Sequence, residues 1–209
     1  MALDTVSSTV LVLGLTLPGS GPVAATVAAN AAAGLPARLT LGQVRHYLDA
    51  ERSPAAQALA TVFACENPTV TEAAAEALGP RCAALVCVEG RPSVAASLLL
   101  QGLRDMGSQL HYHGDFDWPG VAIAESVING GALPWRLAAA DYKDGLDLNT
   151  RPKPLLAPPG EAQAQWDSAL VPAMHDHLMA VEEEIVLDWL LADLAAGGPD
   201  TNFTPSGAS

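Results

Sequence analysis

Residues 109–120 read QLHYHGDFDWPG and join a short strand pattern to an abrupt helix start. Gln109–His113 is predicted to be a strand, and Trp118–Asn129 a helix that two glycines end. Asp115 and Asp117 lie two positions apart in the extended connection, so their side chains point to the same side. Paired carboxylates suit a hard cation such as Mg²⁺. The alternative is that Asp117 caps the helix and Asp115 belongs to a turn.

Two earlier units repeat this order of strand and helix, which is typical of a parallel α/β sheet with right-handed crossovers. We therefore predict a sheet in which the strand ending at Cys65 is the neighbour of the strands ending at His113 and Val88. Ligands of such sheets bind at the carboxyl ends of the strands. The two earlier strands are Ala60–Cys65 and Ala84–Val88, and their helices run from Pro68 to Leu78 and from about Pro92 to Met106.

The carboxyl ends of these strands carry further acidic residues. Glu66 follows the first strand, and Glu89 and Gly90 follow the second. Because parallel strands end at one edge, we expect Glu66 beside Asp115 and Asp117, where three carboxylates repel one another unless a cation neutralises them. The alternatives are a solvated glutamate at a helix start for Glu66, favoured by the helix dipole, and a solvated loop acid for Glu89.

The order and spacing of Glu66, Gly90 and Asp115-x-Asp117-x-Pro119-Gly120 resemble the Toprim domain of topoisomerases, primases and old-type nucleases. The helix start is similar to that in the DNA-cleaving subunit of topoisomerase VI and in its meiotic relatives. It is more similar to the nuclease subunit JetD of Wadjet, a bacterial anti-plasmid system built around an SMC complex. The resemblance covers roughly residues 59–137. It departs at Glu89-Gly90, where relatives often have a Gly-Lys-Gly type of turn.

This resemblance implies a Toprim-like parallel sheet flanked by helices and a metal-dependent DNA endonuclease of an SMC-type plasmid defence system. Glu66, Asp115 and Asp117 would bind Mg²⁺ or Mn²⁺, and metal-activated water would attack the phosphodiester. DNA and SMC-type subunits are the implied partners, with a homodimer as a further assembly, and no membrane is expected. Five further residues are candidates for an accessory role at this site: Glu89, Gly90, Arg91, His113 and Lys143. The alternative for each is a plain surface or packing role.

Composition favours a second hypothesis. The 209 residues are 50% hydrophobic and carry a formal net charge of −13, and no Lys or Arg follows residue 153. A free-standing, charge-driven DNA binder should be basic, so contact with DNA would need metal ions, a basic partner or further sequence. The alternative is a non-catalytic assembly module. A phosphatase of the haloacid dehalogenase type ranks third, because about half the chain precedes its Asp-x-Asp motif and Trp118-Pro119 replaces a small residue.

The chain divides into four predicted parts. Residues 1–58 form an N-terminal α/β extension, interpreted as the remnant of a longer chain, and residues 59–148 form the Toprim-like domain. After a loop at 149–160, residues 161–195 form a helical region with a break at Pro172. Glu182–Glu184 are expected on a solvated helix face of this region. Residues 196–209 are predicted to be a disordered tail. Three cysteines without zinc spacing, and no membrane-spanning stretch, favour a reducing, cytoplasmic location.

Overall fold

The computed structural model describes residues 4–51, 60–156 and 162–198. Its centre is a six-stranded sheet in the order β2-β1-β4-β3-β5-β6, which confirms the predicted α/β fold. A separate pair of short strands, β7 and β8, lies in the C-terminal part. The strands are β1 Thr9–Leu13, β2 Ala37–Thr40, β3 Thr61–Cys65, β4 Leu85–Cys87, β5 Gln109–Tyr112, β6 Leu133–Pro134, β7 Lys153–Pro154 and β8 Met179–Ala180.

The parallel half of the sheet has the predicted arrangement. β3 pairs in parallel with both β4 and β5, so that Phe63 lies opposite Leu85 on one side and His111 on the other. β6 extends this half in parallel. Val62 to Cys65 are buried without alternation, as expected of a strand covered on both faces. This arrangement brings the carboxyl ends of β3 and β5 together.

The other half of the sheet is antiparallel, so the sheet as a whole is mixed. β1 pairs with β2 and also with β4, where Val12 lies opposite Val86. The segment interpreted as an N-terminal extension thus supplies two of the six strands. Its Thr40 accepts the Gln43 N–H and forms the capping box of the following helix.

Several α-helices of the described residues begin at polar caps or prolines. Asn67 accepts the Thr69 N–H at 3.0 Å, and Ser93 accepts the Ala96 N–H at 3.1 Å. None of these helices is long and apolar enough to cross a bilayer. The helices are α1 Pro22–Ala33, α2 Leu41–His46, α3 Pro68–Leu78, α4 Val94–Asp105, α5 Trp118–Asn129, α6 Ala139–Leu148, α7 Leu170–His177 and α8 Leu187–Ala196.

The C-terminal region is helical, but the predicted long helical run is wrong in detail. α7 begins only at Leu170, and Pro172 lies in its first turn, where the missing N–H breaks no bond. Leu178 ends α7 with a left-handed φ of 51°, and the chain then runs extended through β8. β8 pairs with β7, so the predicted loop also contains a strand. Residues 157–161 and most of the predicted tail lie outside the described residues.

α8 is fastened to the end of the sheet by a buried ion pair. The Trp135 indole N–H and the Arg136 Nε–H both donate to Asp193 Oδ2 at 2.7 Å. Trp135 and Asp193 are fully buried. Trp118, which opens α5, is also buried, with 7% of its surface exposed. This contact holds the C-terminal region against the strands that carry the acidic residues.

Candidate acidic site at the carboxyl edge of the sheet

The acidic residues follow two strands that lie side by side. Ala64 on β3 is in register with Tyr112 on β5, and the His113 N–H donates to the Ala64 carbonyl at 3.0 Å. Just beyond these strand ends, Glu66 Oε2 lies 3.0 Å from the point where a Cβ atom on Gly114 would be. The nearby Asp115 backbone opposes the rise of the Glu66 pKa. The strand ends therefore bring Glu66 and Asp115 together, as predicted.

The carboxyl groups of this site have raised pKa values. Burial, followed by the negative charges of Asp115 and Asp117, raises the pKa of Glu66 to about 7. Burial also raises the pKa of Asp115 to about 6, with the charges of Asp117, Glu184 and Glu182 as lesser causes. The pKa of Asp117 is raised as well, again mainly by burial. Burial thus exceeds mutual repulsion as the cause of these raised pKa values.

Asp115 and Asp117 each use one carboxylate oxygen within the fold. Asp117 Oδ1 accepts the Gly120 N–H at 2.6 Å and caps α5, which is the alternative role that the sequence left open. Asp115 Oδ1 accepts the Glu183 N–H at 2.7 Å. In the described part of the chain, the second oxygen of each carboxylate makes no hydrogen bond, so each aspartate retains an oxygen for a ligand.

Glu183 is the site residue that sequence reasoning missed. It was expected on a solvated helix face, but it is fully buried in a 3₁₀ turn, Glu183–Ile185. Its Oε1 accepts the Glu66 N–H at 3.1 Å and its Oε2 accepts the Asn67 N–H at 2.5 Å, while burial raises its pKa. The one sequence signal for this burial is the apolar residues on both sides of the acids in MAVEEEIVL, 179–187.

Glu182 and Glu184, the acidic neighbours of Glu183 in sequence, have different surroundings. Glu184 Oε1 accepts a hydrogen bond from the Asn67 side-chain amide at 2.7 Å, so it adds to the contact with the end of β3. Glu182 forms an exposed ion pair with Lys153 on β7. Asp115 and Glu184 also contribute to the raised pKa of Lys153, after Glu182. A cation missing from the sequence-based candidates thus lies near the acidic residues.

The accessory candidates after β4 take separate positions. Glu89 has a left-handed φ of 59° and accepts two hydrogen bonds from the Arg38 guanidinium, at 2.5 and 2.8 Å. Gly90 has a φ of 80°, a region that favours glycine, and its N–H donates to the Glu66 carbonyl at 3.2 Å. Arg91 is exposed and has no hydrogen bond or ion pair to any other described residue. Glu89 is therefore committed to Arg38, whereas Arg91 is available to a partner.

The remaining candidates lie apart from the acidic carboxylates. His113 is buried among aromatic rings, and its Nδ1 lies 2.9 Å from the Trp135 carbonyl oxygen. Burial lowers the pKa of His113 to about 4, so this side chain is a packed strand histidine. Lys143 is exposed on α6 and contacts no acidic group among the described residues.

The donor chemistry of the site fits a hard cation, although no ligand set is preformed. In residues 4–51, 60–156 and 162–198, no three His, Cys, Asp or Glu side chains form a group that could hold a metal ion. Carboxylate oxygens are nevertheless the ligands that Mg²⁺ prefers, and the buried Glu66 Oε2 has no hydrogen-bond partner. Binding would require the side chains of Glu66, Asp115 and Asp117 to turn towards a common point.

Comparison with known proteins gives one family and no curated relative. No curated protein matches the chain. A family profile described as "Protein of unknown function C-terminus (DUF2399)" matches residues 37–194, a range that contains all the acidic residues described above. Because this match covers well over half of the sequence, the chain belongs to the DUF2399 C-terminal family.

Proposed function

We propose that this chain is a Mg²⁺- or Mn²⁺-dependent endonuclease that cleaves phosphodiester bonds in DNA. The observation that carries the proposal is the pair of half-buried carboxylates, Glu66 and Asp115, at the ends of neighbouring parallel strands, with raised pKa values. Ionisable side chains whose charged form is disfavoured, so that their pKa is shifted, are characteristic of functional sites. The resemblance to Toprim nucleases of SMC-type plasmid defence supports the same activity and suggests DNA and SMC-type subunits as partners.

Each acidic residue has a distinct part in this proposal. Glu66, Asp115 and Asp117 would hold the ion, which supplies charge stabilisation and a bound water of lowered pKa. We assign proton transfer from the attacking water to Glu66 Oε2, because this buried oxygen has no hydrogen-bond partner. Each of these two aspartates would offer the ion its second carboxylate oxygen, because the Asp117 cap and the Asp115 bond to Glu183 use the first.

Metal binding and cleavage by matched variants test the proposal. We expect calorimetry to show Mg²⁺ or Mn²⁺ binding that Glu66→Gln and Asp115→Asn each weaken at least tenfold. Cleavage of supercoiled plasmid DNA should fall at least a hundredfold in the same two variants. Glu72→Gln and Asp105→Asn are the controls, because they remove the same charges from exposed positions. Cleavage that survives in both site variants would contradict this assignment.

A non-catalytic assembly module is the second candidate function. It is favoured by the net charge of −13 and by the lack of a preformed metal-ligand group in the described residues. In this case the acidic residues would serve the fold, and the module would dock onto an SMC-type partner. No binding of Mg²⁺ or Mn²⁺ at millimolar metal would favour the module over the nuclease.

A further inference from the structure

The segment after β8 pairs with the Asp-x-Asp connection through one isolated antiparallel β-bridge. The Phe116 N–H donates to the Val181 carbonyl at 2.8 Å, and the Val181 N–H donates back to the Phe116 carbonyl at 3.3 Å. Phe116 and Val181 are both buried. This antiparallel pairing runs Glu183 alongside residues 114 and 115, and the Glu183 N–H donates to Asp115 Oδ1 at 2.7 Å.

Glu183 then joins the two strand ends through three hydrogen bonds. Its carboxylate accepts the N–H groups of Glu66 and Asn67, which precede α3, and its own N–H donates to Asp115 Oδ1. A fully buried carboxylate is costly unless hydrogen bonds compensate for the lost water. Here the two N–H donors, and the positive end of the α3 dipole, provide that compensation.

We propose that Glu183 is a positioning residue of the acidic site, which fixes the main chain at Glu66 and the side chain of Asp115 relative to each other. The consequence for metal binding rests on the proposed function, whereas the effect on the main chain does not. Outer hydrogen bonds of this kind typically change metal affinity by about 10- to 100-fold. The site is therefore built from three segments of the chain. Glu66 lies on the first, Asp115 and Asp117 lie on the second, and Glu183 lies on the third.

The use of both carboxylate oxygens makes the inference specific. Glutamine has the shape of glutamate but only one acceptor oxygen, so in Glu183→Gln an NH₂ group faces one of the two N–H donors. Glu183→Ala removes both acceptors. We expect a graded loss, with the glutamine variant between the wild type and the alanine variant. A residue that acted through shape alone would instead tolerate glutamine.

Site-resolved amide hydrogen exchange of the metal-free chain is the first measurement. In Glu183→Gln, exchange at the Glu66 or Asn67 amide should accelerate at least tenfold, while the core amides of β3 stay protected. Asp167→Asn is the matched control, because Asp167 also accepts two backbone N–H groups, from Ala139 and Ala169. Unchanged exchange at both amides would overturn the proposal. The glutamine variant keeps this test available if the alanine variant does not fold.

Mg²⁺ affinity, measured by calorimetry on the same proteins, is the second measurement. We expect at least tenfold weaker binding in Glu183→Gln and no change in Asp167→Asn. Faster exchange with unchanged affinity would show a structural role only and would overturn the positioning role. A wild-type chain that binds no Mg²⁺ would contradict the proposed function and the metal-directed part of this inference, and the exchange data would then decide the main-chain part alone.

Discussion

Glu66 Oε2 and the Tyr112 hydroxyl both lie close to the point that a Cβ atom on Gly114 would occupy, at 3.0 and 2.8 Å. Both oxygens are buried and have no hydrogen-bond partner. Gly114 does not have a left-handed φ, so its backbone would accept any residue. Glycine is needed at this position for space, because a side chain would displace the Glu66 carboxylate.

Gly114→Ala should therefore damage the site as well as the fold. Overpacking of this kind costs about 1–3 kcal/mol in the free energy of unfolding, measured by urea titration. Mg²⁺ affinity should fall with it, because Glu66 must move. The double variant Gly114→Ala/Tyr112→Phe removes the nearer oxygen and should recover part of the stability. A stable Gly114→Ala protein with wild-type Mg²⁺ affinity would contradict this prediction.

Asp115→Asn should stabilise the metal-free protein at neutral pH. The pKa of Asp115 is about 6 in the folded state against an ordinary value of 3.8, so the folded state binds this proton more tightly. The free energy of unfolding therefore falls as pH rises from about 4 to about 6. Asparagine does not titrate and retains an oxygen to accept the Glu183 N–H. We expect a gain of about 1 kcal/mol, reduced by solvent screening, at pH 7.5.

The pH dependence of that gain is the check. Urea unfolding in the presence of a chelator should show the difference at pH 7.5 and a much smaller one at pH 4, where the wild-type carboxyl is protonated in the folded state and partly protonated in the unfolded chain. Asp105→Asn, an exposed position on α4, is the control. A melting temperature clearly below that of the wild type at pH 7.5, with unchanged Mg²⁺ affinity, would identify Asp115 as a structural residue only.

His113 should remain neutral in the folded protein well below neutral pH. Burial lowers its pKa to about 4, whereas the unfolded chain takes up this proton near pH 6.5. The contribution of His113 to stability is thus present above pH 6.5 and is lost as pH falls towards 4, opposite in sign to that of the acidic residues. NMR of the ring should show the neutral form at pH 5.5. Protonation between pH 6 and 7 would contradict the prediction.

Glu89 should behave as half of an ion pair with Arg38. The pair is partly exposed, so its loss is expected to lower the free energy of unfolding by about 0.2–1 kcal/mol. Glu89→Gln and Arg38→Gln should give similar losses, and the double variant should lose little more than either. Mg²⁺ affinity should stay unchanged in all three proteins. Weaker Mg²⁺ binding in Glu89→Gln alone would restore the accessory role that the sequence suggested.

The parts of the fold that the sequence predicted correctly have strong local signals. α3 and α5 begin at Pro68 and Trp118, as expected from the prolines and caps at their starts, and β3 is a continuous apolar run. The proximity of Glu66 and Asp115 followed from parallel topology alone. Glu183 could not be found in this way, because its bonds to the end of β3 cross 117 and 116 residues of chain.

Other missed features have the same cause. The Arg38–Glu89 pair joins residues 51 positions apart, and the antiparallel insertion of β1 next to β4 has no local pattern that marks it. A run of three glutamates has the composition of a solvent-exposed helix, and only tertiary contacts distinguish Glu183 from its neighbours. The sequence predicted correctly the elements whose structure depends on their own residues. It did not predict contacts that depend on a segment far away along the chain.

The span of the Glu183 contacts has a consequence during synthesis. The ribosome produces Glu66, Asp115 and Asp117 well before residue 183, at about 5–20 residues per second. A nascent chain that has folded β3 to β5 therefore carries the acidic residues without the carboxylate that holds the end of β3. Such long-range contacts also form late in folding, because they close large loops. A nascent chain that still lacks residue 183 would thus carry an unassembled site, and the full geometry would arise only once that segment has been synthesised.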